Sequence, residues 1–239
     1  MLSIIIPTLN EEYYLPRLLE SIKIQDFSDY EIIVSDGGSS DKTAALAAAA
    51  GAKVVVNDQV KHPSAQRNNG AAVARGEQLL FLDADSVLSP GFLRHALTEF
   101  KNRRLLASAF YIKFNPNRWH YNLYAFVSNA TCFLKQWSSY PAAIGAGLLV
   151  SRQAHETVAG FDLMVFLSED CDYCARISEK GKFRMIRSVK LLYSSRRLAK
   201  EGFFNAGWKW LKMGLFTIFN QRIKKQIVKY DFGNFKGKN

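Results

Sequence analysis

A chain of 239 residues that is 48% hydrophobic can bury a core without disulfide staples. Three cysteines are too few, and odd in number, for a disulfide framework, and four scattered histidines leave Cys171 and Cys174 without partners for a zinc site. The net charge of +11 sits at one end: residues 184–239 hold 14 Lys and Arg against Glu201 and Asp231, a net of +12, while residues 1–183 net −1. That asymmetry points to an acidic partner surface, an anionic lipid headgroup layer rather than nucleic acid.

The chain opens on Leu2–Ile6, an apolar run read as a strand and too short for a signal peptide or a membrane span. A cytosolic location, or one on the cytosolic side of a membrane, is the corresponding expectation. A helix is expected over 11–24, with Leu15, Leu18, Leu19 and Ile22 at helical spacing. A strand follows at 31–35, then an alanine-rich helix at 41–50 closed by Gly51, and a strand at 53–56. Residues 64–74 predict a helix with Ser64 as N-cap, and 78–82 a strand running straight into Asp83. Beyond Pro90 come a helix to about residue 100 and a strand near 105–114.

The stretch 119–137 is crowded with aromatics, and its sequence does not fix an element. Trp119, Tyr121, Tyr124, Phe126, Phe133 and Trp137 suit stacking on a sugar, contact with lipid, or plain core packing. A strand is expected at 145–150, entered through glycines, and a helix at 171–179 stopped by Gly181. Two units result: a main domain over 1–195 and a basic, aromatic appendage over 196–239. Within the appendage, residues 202–219 read as an amphipathic interfacial helix, since Lys209 and Lys212 interrupt the apolar run.

Alternating strands and helices predict an α/β, Rossmann-like, mostly parallel sheet flanked by helices. Ligands of such sheets bind beyond the carboxyl ends of the strands. The residues there are Thr8, Asn10 and Glu11 after the first strand, Asp36 to Asp41 after the second, and Asp83-Ala84-Asp85 after the fourth. Carboxylates gathered on one rim repel unless a cation lies among them, and a divalent metal beside a loop of small residues suits a diphosphate. Farther on, Glu169, Asp170 and Asp172 are each candidates for a general base. Arg176, four residues after Asp172, equally marks that acid as a structural helix pair.

The segments SIIIPTLNEE (3–12), VSDGGSSDKT (34–43), QRNNGAAVARG (66–76), LLFLDADS (79–86), GAGLLVSRQAHETVAGFD (145–162) and SEDCDYCAR (168–176) resemble glycosyltransferase family 2 in order and spacing. The resemblance implies the GT-A fold and transfer of a sugar from a nucleoside diphosphate sugar, of UDP or GDP type, with inversion at the anomeric carbon. It places Pro7, Thr8 and Glu11 in the nucleoside pocket, Asp36 at the base or ribose, and Arg67 toward the base or diphosphate. Asp83 would contact ribose or a metal-bound water, Asp85 would hold Mg2+ or Mn2+, and Asp170 would be the general base. Without several spanning helices or a Q-x-x-R-W motif, transfer of a single sugar is expected, to an acceptor carried on a membrane lipid or lipid-linked glycan. The rival readings are a sugar nucleotidyltransferase, whose Gly-rich, Arg-containing loop after the first strand is replaced here by Pro7-Thr8-Leu9-Asn10-Glu11, and a non-catalytic membrane-bound binder of nucleotide sugars.

Overall fold

The computed structural model describes residues 1–202 together with Asn205 and Trp208. The expected interfacial helix at 202–219 thus lies almost wholly outside the described residues. Eight strands form one sheet in the order β3-β2-β1-β4-β7-β6-β8-β5. Its first half is parallel: β1 (Leu2–Thr8) lies between β2 (Tyr30–Asp36) and β4 (Gln78–Leu82), with β3 (Lys53–Val56) outside β2. β7 (Gly147–Ser151) runs antiparallel to both β4 and β6 (Ala107–Asn115), so the sheet is mixed, not parallel throughout. β8 (Phe183–Ser194) returns parallel to β6, and the two-residue β5 (Ser86–Val87) closes its far edge.

The central strands are apolar on both faces, as a sheet covered by helices requires. Ile4, Ile5, Ile6, Leu79 and Phe81 are fully buried. Helix α1 (Leu15–Lys23) buries the four residues whose spacing predicted it, Leu15, Leu18, Leu19 and Ile22. It starts later than expected because Glu11 is drawn aside, its N–H donating to Thr43 Oγ1 at 2.8 Å. Helix α2 spans Thr43–Ala49, with Asp41 accepting the Thr43 N–H. Helix α3 (Pro63–Ala72) corrects the expected cap: His62 is the N-cap, its Nδ1 accepting from Ser64 N, and Pro63 fills the first turn. Ser64 is inside the helix instead.

Helix α4 covers Phe92–Asn102, and the unassigned aromatic stretch is helix α5, Trp119–Lys135. Its inner face packs on β6, where Asn129 donates to Ile112 O and accepts from Ile112 N. β7 pairs with β6 only as far as Ala109, so Asn129 satisfies backbone groups that the sheet leaves open on that strand. Helix α6 is Arg152–Thr157, α7 is Glu169–Ser178 and α8 is Arg196–Glu201. Between Phe110 and Tyr111 the pairing of β6 with β8 slips, and the backbone N–H groups of Arg187 and Ser188, freed by that bulge, donate to the Glu99 carboxylate. Among the described residues no helix is long and apolar enough to cross a membrane.

Candidate active site

The carboxyl ends of β1, β2 and β4 lie side by side, because β1 pairs with both neighbours in parallel. This brings the three polar loops together at one edge, as the strand-end pattern predicts. The loops after β1 and β2 are laced to each other. Asn10, held at a positive φ of 57°, donates its N–H to Ser39 Oγ and accepts from Ser40 N. Asp36 is buried and spends both oxygens on this loop: Oδ1 accepts from Gly38 N and Ser39 N, and Oδ2 from Ser39 Oγ and Thr8 Oγ1. Thr8 is buried beside it, and Pro7 is half-buried at the end of β1.

Glu11, Asp83 and Asp85, expected to face one another across the edge, are instead each paired with an arginine. Arg67, from α3 and nearly fully buried, donates to Asp83 Oδ1 at 3.0 Å, to Glu169 Oε1 at 2.9 Å and to the Gly145 carbonyl at 3.3 Å. It thereby joins the β4 loop, the approach to β7 and the start of α7. Arg196 forms the second knot. Its terminal nitrogens donate to both oxygens of Glu11, at 2.7 and 2.8 Å, and its Nε donates to Asp85 Oδ2 at 2.8 Å. The Arg196 guanidinium also lies over the Tyr14 ring, 4.5 Å from its centroid.

Arg196 reaches this point because β8 ends against the β4 loop: Ser86 pairs with Tyr193, and Ser194 N donates to Asp85 O. Nothing in the sequence marks it, since it is one of 14 basic residues in the last 56 positions. It is also the first residue beyond the catalytic unit expected from the sequence.

The second site acid comes from α7. Its N-cap, Ser168, sits in the left-handed region at φ 59°, a strained turn that brings Glu169 and Asp170 to the helix start. Glu169 goes to Arg67, whereas Asp170 accepts backbone N–H groups at the helix start, that of Cys171 at 2.9 Å through Oδ1. A Cβ on Gly145 would stand 3.1 Å from Asp170 Oδ2 and 3.4 Å from Arg67 Nη2, so a side chain there fits only if the acid gives way by a few tenths of an ångström. Asp172 is the structural member of the trio: fully buried, it takes Arg176 Nε at 2.8 Å. Cys171 and Cys174 are free thiols on the same helix, pushed up by burial.

The electrostatics follow from this packing. Burial raises Asp85 to about 7, with Arg196 opposing and the charges of Asp83 and Glu11 adding to the rise. Burial likewise raises Asp83 and Glu11, against Arg67 and Arg196 respectively. Asp170 is lifted to about 7 by removal from water and then by the Glu169 charge. Both arginines are held protonated more firmly than usual by their acids.

The sequence profile of glycosyl transferase family 2 matches residues 3–159, more than half of the chain. The chain belongs to this family. It is 41% identical over 98 residues to a GalNAc(5)-diNAcBac-PP-undecaprenol beta-1,3-glucosyltransferase of Campylobacter jejuni, a match covering 38% of this family member and 32% of that relative. It is 40% identical over 95 residues to a PGL/p-HBAD biosynthesis glycosyltransferase of Mycobacterium bovis, covering 37% and 36% respectively. These matches span about a third of the length of those curated relatives. Among solved structures, TarS 1-349 of S. aureus superposes with a TM-score of 0.70 at 18% identity, over 92% of this chain and 75% of that one. The mannosyltransferase PcManGT of Pyrobaculum calidifontis, solved with GDP-Man and Mn2+, gives 0.67 at 18% identity over 88% and 64%. These likenesses establish the GT-A fold for this member of the family.

Proposed function

We propose that the protein is an inverting glycosyltransferase that moves one sugar from a nucleoside diphosphate sugar to an acceptor hydroxyl. The observation that carries this reading is the double role of Arg67. It ties Asp83, at the donor end of β4, to the Glu169-Asp170 pair, so a candidate base and a candidate donor site share one wall. TarS has been solved with UDP and with UDP-GlcNAc, and PcManGT with GDP-Man, which supports a donor of UDP or GDP type.

In this reading Pro7, Thr8, Glu11 and the loop organised by Asp36 line the nucleoside end. Asp170 accepts the proton of the acceptor hydroxyl as that oxygen bonds to the anomeric carbon. The bond from that carbon to the diphosphate breaks with inversion. A carboxylate lifted toward neutrality suits this task, since a base works best with its pKa near the working pH. Arg67 opposes the Glu169 charge, which limits how far burial and that repulsion raise Asp170. Arg196 puts a fixed positive charge beside Glu11 and Asp85, where the diphosphate would lie.

A divalent cation fits the residues present. Asp85 Oδ1 is buried and has no hydrogen-bond partner among the described residues, so it is open to a metal. Among those residues no three His, Cys, Asp or Glu side chains gather as a cage, in keeping with an ion held by one carboxylate and completed by phosphate oxygens. Mg2+ or Mn2+ on Asp85 would neutralise charge developing on the departing diphosphate. PcManGT and the glucosyl-3-phosphoglycerate synthase of Mycobacterium tuberculosis were both solved with Mn2+.

The acceptor is proposed to be carried on a membrane lipid, as the name of the Campylobacter relative states for that enzyme. The net of +12 over 184–239 supports peripheral attachment to the anionic, cytosolic face of a membrane. The test is release of free sugar and nucleotide from a panel of UDP- and GDP-sugars, with and without Mn2+, together with thermal shifts by UDP and GDP. Metal-dependent stabilisation and turnover of at least one donor is expected. No response to any donor overturns the proposal.

A further inference from the structure

Helix α5 has two faces of opposite fate. Tyr121, Ala125, Ser128 and Cys132 are buried against the sheet. On the other side Trp119, Phe126 and Leu134 are 77, 70 and 72% exposed, and Leu123, Val127 and Phe133 are exposed with them. At 100° per residue, positions 119, 123, 126, 127, 130, 133 and 134 fall within a stripe of about 120°, wide enough for an apolar face. Trp137, also exposed, continues the line just past the helix end. A contiguous exposed face of large apolar side chains marks an interaction site, not ordinary surface scatter. Asn129, bonded twice to Ile112, fastens the helix so that this face points away from β6.

Charge decides what the face meets. Helix α5 contains no Asp or Glu, Arg118 precedes it and Lys135 lies in its last turn. Two more cations come from β8: the Arg184 guanidinium lies 5.7 Å from the Trp137 ring centroid, and that of Arg187 lies 5.7 Å from the Phe133 ring centroid. Glu179 is the acid that shares the recess beside Trp137 with Arg184. Bulky Trp, Phe and Leu side chains flanked by Arg and Lys are the composition of an interfacial helix on anionic lipid, the rings in the acyl boundary and the cations among headgroups. A protein partner would more often find a polar, mixed-charge rim.

We propose that the outer face of α5, bordered by Arg118, Lys135, Arg184 and Arg187, docks the catalytic fold on an anionic membrane. The proposal rests on the membrane reading above but names a second surface, distinct from the expected interfacial helix at 202–219 and from the site acids, and it takes Arg184 and Arg187 from the basic excess over 184–239.

Its test compares the full chain with the variants W119S/F126S/L134S and R184Q/R187Q in flotation with phosphatidylcholine vesicles, with and without 30% phosphatidylglycerol. Hydroxyl-radical footprinting of Trp119 is run alongside. All substituted residues except Arg184 are surface-exposed, so unchanged unfolding temperature and donor hydrolysis serve as the folding control. The expected results are flotation with the anionic vesicles, at least tenfold weaker for the triple variant, weaker and less salt-sensitive for the arginine variant, and protection of Trp119 by vesicles. Flotation of the triple variant equal to that of the unaltered chain overturns the proposal and leaves the C-terminal reading standing. Absence of flotation by the unaltered chain overturns both. A lipid-free dimer that the triple substitution dissolves, with Trp119 unaffected by vesicles, overturns it in favour of a second copy on this face.

Discussion

Arg196 Nε donates to Asp85 Oδ2 at 2.8 Å, so the start of α8 is fastened to the loop that follows β4. The same guanidinium grips both oxygens of Glu11. One cation thus compensates two buried acids that would otherwise repel each other. Removing one partner of a buried ion pair typically costs about 3–5 kcal/mol, because the charge left behind has neither water nor partner. R196A is expected to lose stability of that order. R196K should recover only part of it, since an ammonium cannot match the three-pronged fork. Chemical denaturation checks the ranking, and Mn2+ is expected to restore more stability to R196A than to the unaltered chain. Equal Mn2+ responses would mean that the ion does not approach Asp85.

Asp170 separates chemistry from binding. Asp170→Asn keeps the shape and removes the base, so transfer should fall about 10²–10⁴-fold. The affinity for UDP or GDP, by calorimetry, should change by less than about threefold. The same variant should be more stable than the unaltered chain at pH 8. The carboxyl is raised to about 7 in the fold, above its ordinary value, so folding carries a penalty that is full above pH 7. The penalty shrinks as the pH falls below 7, and the stability gain of D170N should shrink with it.

The rate itself should follow the opposite limb. Proton acceptance needs ionised Asp170, so kcat/KM should rise with pH through about 7 and then level. Arg67→Gln removes a charge that favours the ionised form, and should move this limb to higher pH. An unshifted limb would show that Arg67 does not act on the base.

Gly145→Ala is a small change at a crowded point. The new methyl would press on Asp170 Oδ2 at 3.1 Å and Arg67 Nη2 at 3.4 Å. Activity is expected to drop at least tenfold while the unfolding temperature falls by only a few degrees. Full activity would mean that Asp170 has room to move and is not held in place.

His155 offers a stability marker away from the site. Burial, assisted by Arg152 and Arg176, lowers it to about 4, and its Nδ1 meets Tyr173 Oη at 2.7 Å. The unfolded chain therefore takes up this proton first, near pH 6.5. The stabilising contribution is complete above that pH and is lost as the pH falls from 6.5 toward 4. H155Q should flatten the acid limb of the stability curve over that interval.

Local patterns carried most of the fold. Short apolar runs marked β1 to β4, and the four buried residues of α1 announced themselves by spacing. The acidic loops were legible for the same reason: strands that alternate with helices come out parallel, and their carboxyl ends meet. Helix α5 was not legible, because a segment rich in aromatics on every side has no single periodicity. Only its packing on β6 separates Tyr121 and Cys132, which are buried, from Trp119 and Phe126, which are not.

By itself, then, the sequence placed acids at the strand ends, a short-range pattern, and left Glu169, Asp170 and Asp172 open until the family resemblance favoured Asp170. Only the tertiary structure decided what neutralises them. Arg67 and Arg196 come from a helix in the first half of the fold and from the first residue of α8, just past the last strand. Neither pairing has a local signature, because each is made by elements that meet only once the sheet has closed.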